Sequence, residues 1–337
     1  MIVRNFAILV GAFFCFAQAL VMPAAVQAGK LKVAMLIPGH IDDGGFMEAG
    51  YKGLLMIRDK LGADIAYIDK VKPKKDLLSA SLRQLAAGGP DLIIAHGGQN
   101  SKAMAAVAPE FPKIKFVVVQ GNVSGSNLSS YEVLQEQSAW LAGAAAGLLT
   151  KTNVVGHISG IRVRPGLKGR GAFFNGLMHT NRNAKYLTTF AGDQDDNALS
   201  YGVASAQIDA GADIIFTMLN AGRVGAIKAM REKKVHQIGN VRDWYPVAPD
   251  VFIASAMANV SMAGFHAAND VQSGAWKPGV IKKIGIENGD AVRLALSPDV
   301  PQDIRAKLEK LREALASGKT EVSIKYDGLE FKHQAGK

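Results

Sequence analysis

The stretch KVAMLIPG at residues 32–39 decides the fold of this chain. Its apolar run stops at a Pro-Gly pair, and residues 46–61 then carry the apolar spacing of a helix that ends at Gly62. A similar apolar run returns at DLIIA (91–95) and at DIIFT (213–217). Short apolar runs that alternate with longer amphipathic segments are typical of βαβ units, in which helices cover both faces of a parallel sheet.

The same alternation continues along the chain and predicts the remaining elements. We predict strands at residues 32–37, 64–68, 91–95, 116–119, 154–158, 185–190, 213–217, 237–241, 251–256, 281–286 and 291–294. We predict helices at residues 46–61, 75–87, 101–108, 137–149, 166–178, 197–210, 222–233, 259–272 and 301–317. The helix at 137–149 is rich in small residues, which suit close packing against a sheet.

This order of elements predicts an α/β fold with two lobes of like architecture, joined by a hinge that the chain crosses more than once. We place the first crossing near residues 122–130, where Gly, Ser and Asn replace apolar residues. The predicted parts are a first lobe at 29–128 plus 254–280, a second lobe at 129–253, and C-terminal strands and a helix at 281–337 that return across the hinge.

The N-terminal residues 1–28 have the pattern of a secretory signal peptide. Arg4 precedes an apolar run, and small residues lead to Val-Gln-Ala before Gly29. We predict cleavage after Ala28 and a periplasmic location; the alternative is a membrane-anchoring helix. The only cysteine, Cys15, lies inside this segment, so the sequence excludes a disulfide framework and a cysteine-based zinc site.

The composition fits a globular protein without a nucleic-acid partner. The 337 residues are 48% hydrophobic, and 39 basic against 29 acidic residues give a net charge of +10. The basic run at residues 70–75 has one aromatic residue nearby, Tyr67, and is read as a solvated turn. The net charge does not decide the charge of a ligand, because a binding cleft is a local feature of the protein.

Candidate ligand-binding residues follow the predicted strands, because ligands of open parallel sheets bind beyond the carboxyl ends of the strands. Loops from two lobes that face each other would form a polar cleft with aromatic walls, which suits a small neutral molecule with a ring and several hydroxyls or amides. The candidates at these positions are Asp43, Phe46, His96, Gly97, Gln120, Asn122, Arg162, Gln194, Asn220, Asp243 and Trp244.

Four of these candidates also have a purely structural explanation. Phe46 fits the first core residue of its helix, and His96 fits a loop hydrogen-bond donor. Trp244 fits packing at the hinge, and Arg162 fits a surface ion pair. We expect a ligand at Phe46 because two glycines precede it and allow a backbone to approach a ligand closely.

The sequence lacks the common signatures of nucleotide-dependent and hydrolytic enzymes. It contains no phosphate-binding loop, dinucleotide fingerprint, nucleophile elbow or His-Glu-x-x-His motif, and its histidines show no metal-ligand spacing. The acidic pairs 42–43 and 195–196 fit helix N-capping or an acid/base pair. We therefore predict a binding protein that needs no cofactor or metal, with a nucleoside hydrolase that uses Asp42, Asp43 and Asp195 as the alternative.

Six segments together resemble the basic membrane protein (BMP) family, the substrate-binding proteins of ABC importers that include purine nucleoside receptors. The segments are residues 32–39, 42–46, 50–54, 141–146, 211–216 and 238–243. The resemblance covers nearly all of residues 30–295. It implies the type I periplasmic binding protein fold, in which two Rossmann-like lobes joined by a hinge close over one ligand.

Nucleoside-binding members of this family stack the base between two aromatic rings and hold the ribose with acidic and basic side chains. On this resemblance Phe46 matches the first ring and Asp43 the aspartate before it. Gln135 or Glu136 replaces an expected aspartate, which adds Gln135 to the candidate ligand residues. Other positions also depart from the family pattern: Met47 for an Asn, Gln194 for the second ring, Val241 for an Asp, and Ala258–Asn259 for a Lys.

The residues and the resemblance together predict a monomeric periplasmic substrate-binding protein. It would capture a purine or nucleoside-like ligand, with Trp244 as a substitute for the missing ring, and deliver it to an ABC permease in the inner membrane. A flavin, a sugar or another metabolite remains open as the ligand, and so does a role as a ligand sensor. A repressor's effector domain shares the fold but fits poorly, since no helix-turn-helix segment begins the chain.

Overall fold

The structure, a computed structural model, describes residues 29–332 and contains two six-stranded sheets. The first sheet consists of β1 Lys32–Ile37, β2 Asp64–Asp69, β3 Leu92–His96, β4 Lys115–Val119, β5 Leu128–Val133 and β11 Ile281–Ile284. The second consists of β6 Val154–Ser159, β7 Lys185–Phe190, β8 Ile214–Met218, β9 His236–Val241, β10 Phe252–Ala258 and β12 Val292–Leu296.

The described helices connect these strands and confirm the predicted alternation with small shifts at their ends. They are α1 Phe46–Leu61, α2 Lys75–Ala87, α3 Ser101–Val107, α4 Gln135–Leu149, α5 Arg164–Thr180, α6 Asn197–Asp209, α7 Arg223–Lys233, α8 Ser261–Gln272 and α9 Gln302–Ala316.

The two sheets share one plan, and the predicted α/β fold with two like lobes is confirmed. The strand orders are β11-β5-β4-β3-β1-β2 and β12-β10-β9-β8-β6-β7, so each strand of one sheet has a counterpart in the other. All pairs in the first sheet are parallel, and in the second only β12 runs antiparallel, against β10. The inner strands β1, β3 and β4 are almost wholly buried, as expected for a sheet covered on both faces.

The chain passes between the two lobes three times, which confirms a hinge with several crossings. Helix α4 follows β5 of the first sheet but packs on α5 and β10 of the second lobe. Helix α8 follows β10 of the second sheet but packs on α1 and the first sheet. The third crossing leads from β11 in the first sheet to β12 in the second.

The predicted lobe boundaries need two corrections. The segment expected to carry the first crossing, 122–130, runs into β5, which belongs to the first sheet; the chain crosses only after Val133. Residues 254–258, expected in the first lobe, belong to β10 of the second sheet. The returning segment at 281–337 divides between the lobes, because β11 pairs with β5 whereas β12 pairs with β10.

Strand β5 is hidden in the sequence because its side chains are mostly polar. Ser129, Ser130 and Glu132 are nevertheless buried. The hydroxyl of Ser129 donates to the carbonyl oxygen of Lys277 (2.6 Å), and that of Ser130 donates to the carbonyl oxygen of Val123 (2.6 Å). These hydrogen bonds offset the desolvation of the buried hydroxyl groups. The local sequence pattern does not predict which groups will accept them.

The small residues of α4 allow a close helix–helix contact. A Cβ added at Gly143 would lie 1.9 Å from the carbonyl oxygen of Phe173 in α5, and one at Gly176 would lie 1.9 Å from that of Trp140 in α4. The prediction that this helix packs against a sheet was incomplete. The glycines of α4 allow the close approach of α5. Helix α4 also contacts β10 and β12 of the second sheet.

The C-terminal residues of the described chain lie along the second lobe. The ring of Tyr326 contacts those of Phe174 and Tyr186, with centroids 5.0 and 5.4 Å away. The backbone N–H of Phe331 donates to the carbonyl oxygen of Thr188 (2.8 Å). Within residues 29–332, none of the helices combines the length and the apolar character that crossing a membrane requires. The predicted signal peptide lies outside the described residues.

Candidate functional site

A cavity of about 630 Å³, here called the first cavity, lies at the carboxyl ends of the strands of both sheets. The first lobe contributes the loop after β1, the turn after β3 and the ends of β4 and β5. The second lobe contributes the loop after β6 and the residues after β7, β8 and β9. This is the position expected for a ligand of two facing open sheets.

Phe46 begins α1 and forms part of the first-lobe wall. The imidazole of His96 lies against the Phe46 ring, with centroids 4.2 Å apart, and its Nε2 is 2.7 Å from the Phe46 carbonyl oxygen. Gly50 makes room for the imidazole, since a Cβ at Gly50 would lie 2.5 Å from His96 Cγ. Burial lowers the pKa of His96 to about 4, so the ring is neutral near pH 7 and donates to the carbonyl through Nε2.

Asp43 holds the start of the same helix. Its carboxylate accepts backbone N–H groups from Gly45 (2.8 Å), Met47 (3.2 Å) and Glu48 (3.0 Å). These donors belong to the first turn, where a carboxylate also interacts favourably with the helix dipole. Asp43 is not the N-cap residue itself, which is Gly45, but its carboxylate satisfies donors of the first turn and lines the cavity with its oxygens already engaged.

Two residues at equivalent strand ends adopt left-handed backbone conformations. Gln120 follows β4 with φ 57°, and Val241 ends β9 with φ 71°. Both line the first cavity, and a β-branched residue such as Val241 is strained in this region. The amide of Gln120 is fixed by Val133, donating to its carbonyl oxygen (3.1 Å) and accepting from its N–H (2.6 Å).

The second-lobe wall combines aliphatic with polar and charged side chains, and no aromatic side chain is among the residues described there. Ile161 and Val163, in the loop between β6 and α5, line the cavity and are 39% and 41% exposed. Met218 lies against Gly169, where an added Cβ would approach its sulfur to 2.4 Å. Gln194, at the position of the expected second ring, lies against Gly160 instead.

A charge cluster beside the crossing from β5 to α4 lines the cavity. The Lys168 ammonium lies 2.8 Å from a carboxylate oxygen of Glu132 and 2.6 Å from one of Glu136. Arg164 adds a longer contact of 3.6 Å to Glu132. Because Glu132 belongs to β5 and Lys168 to α5, this ion pair connects the two lobes. Sequence reasoning missed it, since the partners are 36 residues apart and β5 was not recognised.

Comparison with known proteins shows that the sequence of this chain matches one family model. The family model described as "ABC transporter substrate-binding protein PnrA-like" covers residues 30–325. The chain belongs to the Bmp family. The resemblance noted in the sequence is thereby confirmed, and the protein is an ABC transporter solute-binding protein of the Bmp family.

Two relatives whose roles are named are distant in sequence. The chain is 26% identical to the transcriptional activator protein Med of Bacillus subtilis (strain 168) over 84% of its length and 88% of the relative's. It is 24% identical to a purine-binding protein of Brucella abortus (strain 2308), over 91% of its length and 88% of that protein.

Solved structures support the two-lobed fold of this Bmp protein. An ABC transporter solute-binding protein from Conexibacter woesei matches with a TM-score of 0.71 and 24% identity, covering 87% of this chain and 98% of its own. A transcriptional activator from Bacillus halodurans matches with a TM-score of 0.75 and 20% identity, covering 86% and 99%.

Seven of the twelve predicted ligand residues of this Bmp protein line the first cavity: Asp43, Phe46, Gln120, Asn122, Gln135, Gln194 and Asn220. The structure brings them together from both lobes. Asn220 also contacts the first lobe, because a Cβ at Gly45 would lie 3.1 Å from its Oδ1. Their contact with a ligand stays a prediction.

Five predicted residues do not line this cavity, namely His96, Gly97, Arg162, Asp243 and Trp244, and their contact with a ligand also stays a prediction. His96 is buried behind Phe46, and Gly97 is a buried turn residue with φ 103°. Asp243 is exposed and accepts the backbone N–H of Tyr245 (3.1 Å). Arg162 forms an ion pair with Glu330 at 2.5 Å, which is the surface pairing considered as its alternative.

Trp244 lines a second cavity of about 250 Å³ and does not replace the missing ring of the first. Its indole N–H donates to the carbonyl oxygen of Asn240 (2.7 Å), and its ring stacks on Phe252 with centroids 6.0 Å apart. The second cavity adjoins the first. Four residues line both: Phe46, Asn220, Asn240 and Val241.

The remaining acidic pair has a local structural role. Asp196 accepts the backbone N–H of Leu199 (2.9 Å) and caps α6, and Asp195 accepts the N–H of Ala221 (3.1 Å). The predicted N-capping function is confirmed for Asp196, whereas Asp195 makes a hydrogen bond within a loop. Among residues 29–332, no three His, Cys, Asp or Glu side chains are grouped so as to hold a metal ion.

Proposed function

We propose that this protein captures a small polar, ring-bearing ligand of the purine or nucleoside type in the first cavity and delivers it to an ABC permease. The observation that carries the proposal is the position of the cavity. It lies at the strand ends of both lobes, and both lobes line it. Its volume of about 630 Å³ is within the range of about 300–1,000 Å³ that is common for small-molecule sites.

The first lobe offers a fixed surface for a ring. His96 supports Phe46 from behind through ring contact and through the hydrogen bond to the Phe46 carbonyl. A preorganised aromatic side chain loses little conformational freedom when a base stacks on it. The amides of Gln120, Asn122 and Gln135 lie around the same cavity and can pair with ring nitrogens or hydroxyls.

The second lobe offers an aliphatic surface where nucleoside-binding relatives are expected to have a second ring. Ile161, Val163 and Met218 line the cavity from that side. The ligand ring would then contact aromatic and aliphatic groups on its two faces. The purine-binding protein of Brucella abortus, a relative of this chain, supports a nitrogenous ring as the first choice.

Binding by both lobes couples ligand capture to closure. A ligand that contacts both walls stabilises the closed arrangement more than the open one and therefore shifts the population toward it. We propose that the permease recognises this closed form. The proposed location is the periplasm, reached through the signal peptide at residues 1–28.

A ligand screen tests the proposal directly. The protein without residues 1–28 is heated with purines, nucleosides, flavins or sugars, and hits are quantified by calorimetry. A ligand at a hundredfold excess over its Kd should stabilise the fold by about 2.7 kcal/mol. Stabilisation by sugars alone would contradict a nitrogenous ring, and release of free base from a nucleoside would contradict a role limited to binding.

Phe46→Ala tests whether the ring of the ligand stacks on Phe46. Loss of stacking should weaken binding by about 1–3 kcal/mol. Phe111→Ala is the matched control, because Phe111 packs on the core of the first lobe and does not line either cavity. It should lower the melting temperature without a change in Kd. Equal Kd values for Phe46→Ala and the unaltered protein would exclude Phe46 from the site.

A further inference from the structure

The second cavity contains a buried cation without a negative partner. Arg223 is 2% exposed, and its N–H groups donate to neutral acceptors. These are the hydroxyl (2.6 Å) and carbonyl (3.3 Å) of Thr217, the carbonyl of Leu219 (2.6 Å) and the side-chain oxygen of Asn240. Burial lowers the pKa of Arg223 to about 9, and the guanidinium remains protonated at neutral pH.

One donor of this guanidinium is unused. Nε of Arg223 is buried and has no hydrogen-bond partner among the described residues. Arg223 forms no ion pair with a described carboxylate and lines the second cavity. Burying a charge is costly unless it is paired, so a site that keeps such a group next to an open cavity is ready to accept an anion.

Other side chains around the cavity add to its positive charge. The guanidinium of Arg242 lies over the Trp244 ring, 4.1 Å from its centroid, and that of Arg223 lies 4.3 Å from the same centroid. Lys52 also lines the cavity and pairs with Glu48, whose pKa is lowered mainly by Lys52 and also by Arg242. The lining therefore holds three cations and one carboxylate, a formal charge of +2.

The first cavity differs in charge. Asp43 and Glu132 face Arg164 and Lys168 there, so the formal charges of its lining cancel. The two cavities meet at the four residues that line both, Phe46, Asn220, Asn240 and Val241. A ring that rests on Phe46 is consequently within reach of the positively charged cavity beside it.

We infer that the second cavity binds an anionic oxygen group, phosphate or carboxylate, of a ligand whose ring occupies the first cavity. The inference rests on the proposed function and narrows its substrate class to anionic ring compounds. Guanidinium groups present forked donors that match carboxylate and phosphate oxygens, and Arg242 can approach the anion because its side chain is exposed.

Matched ligand pairs test the substrate class. Calorimetry compares inosine with inosine 5′-monophosphate, uridine with uridine 5′-monophosphate, and uracil with its carboxylate, orotate. We expect the anionic member of at least one pair to bind about tenfold or more tightly, in line with a hydrogen bond to a charged group. The phosphate and carboxylate pairs distinguish the two sources of the anion.

A second measurement does not depend on the ring. Inorganic phosphate is titrated into the protein while the fluorescence of Trp244 is followed, with Trp244→Phe to assign the signal. Arg242→Gln should weaken phosphate binding about tenfold without loss of the fold, because Arg242 is exposed. The control is Arg182→Gln, which removes the same charge two residues beyond the C-terminal end of α5. It should leave the Kd for phosphate unchanged.

The outcomes separate this inference from the proposed function. A neutral ligand that binds as tightly as its anionic partner, with no saturable phosphate signal, would overturn the anion site and leave ring capture intact. Saturable phosphate binding that Arg242→Gln weakens, without binding of any ring compound, would support the anion site and overturn the proposed ring ligand. Equal phosphate binding by Arg242→Gln and Arg182→Gln would also overturn the inference.

Discussion

Gly143→Ala should be strongly destabilising, although alanine is the better helix former. An added Cβ would lie 1.9 Å from the Phe173 carbonyl oxygen, whereas ordinary contacts begin at 3.4 Å, so α4 and α5 must separate locally by the difference of 1.5 Å. Overpacking costs about 1–3 kcal/mol, and more where backbone must move. The higher helix propensity of alanine stabilises the fold by about 1 kcal/mol and offsets part of this cost. We therefore expect a net loss of about 2 kcal/mol.

Gly202→Ala is the matched control for this prediction. Gly202 also lies inside a helix, α6, but nothing lies within 4 Å of an added Cβ. There the substitution should stabilise the protein by about 0.5–1 kcal/mol. Both variants are unfolded in urea with circular dichroism as the readout. If the two substitutions shift the transition in the same direction, the helix contact at Gly143 is not as tight as described.

Two further predictions concern buried ionisable side chains. Lys168→Met should cost about 3–5 kcal/mol in urea unfolding, because it leaves Glu132 buried without its main partner, while Arg164→Gln should cost less than about 1 kcal/mol because Arg164 is more than half exposed. Similar losses in the two variants would contradict this difference. Burial lowers the pKa of His96 to about 4 and that of His157 to about 3, so between pH 6.5 and 4 the unfolded chain binds protons that the native state excludes. Stability should thus fall as the pH falls, by about 2 kcal/mol per histidine between pH 7 and 5; stability independent of pH over this range would contradict the neutral, buried rings.

The alternation of elements was readable because it depends on local patterns. Strand β1 and helix α1 have the predicted bounds, since an apolar run and a Pro-Gly stop act within a few residues. Strand β5 was not readable, because its polar side chains are satisfied by distant groups such as the Lys277 carbonyl. The crossing was consequently placed too early in the chain.

The candidate site was predictable only in outline. The rule that ligands bind beyond strand ends brought Gln120 and Asn220 to one cavity. It did not distinguish residues that line the cavity from those that support its wall, as His96 does for Phe46. The burial of Arg223 was hidden as well, because it depends in part on Asn240 and Trp244, which lie in a later segment of the chain.

The helix exchange between the lobes has a consequence for the order of folding. The first sheet lacks its edge strand β11 until residue 284 has been made, and α8, which covers its face, ends at residue 272. A partial chain that ends with β5 would therefore expose apolar surface on β3 and β4 that only later residues cover. Neither lobe can mature while the chain is still short, so nearly the whole polypeptide must be available before either half becomes stable.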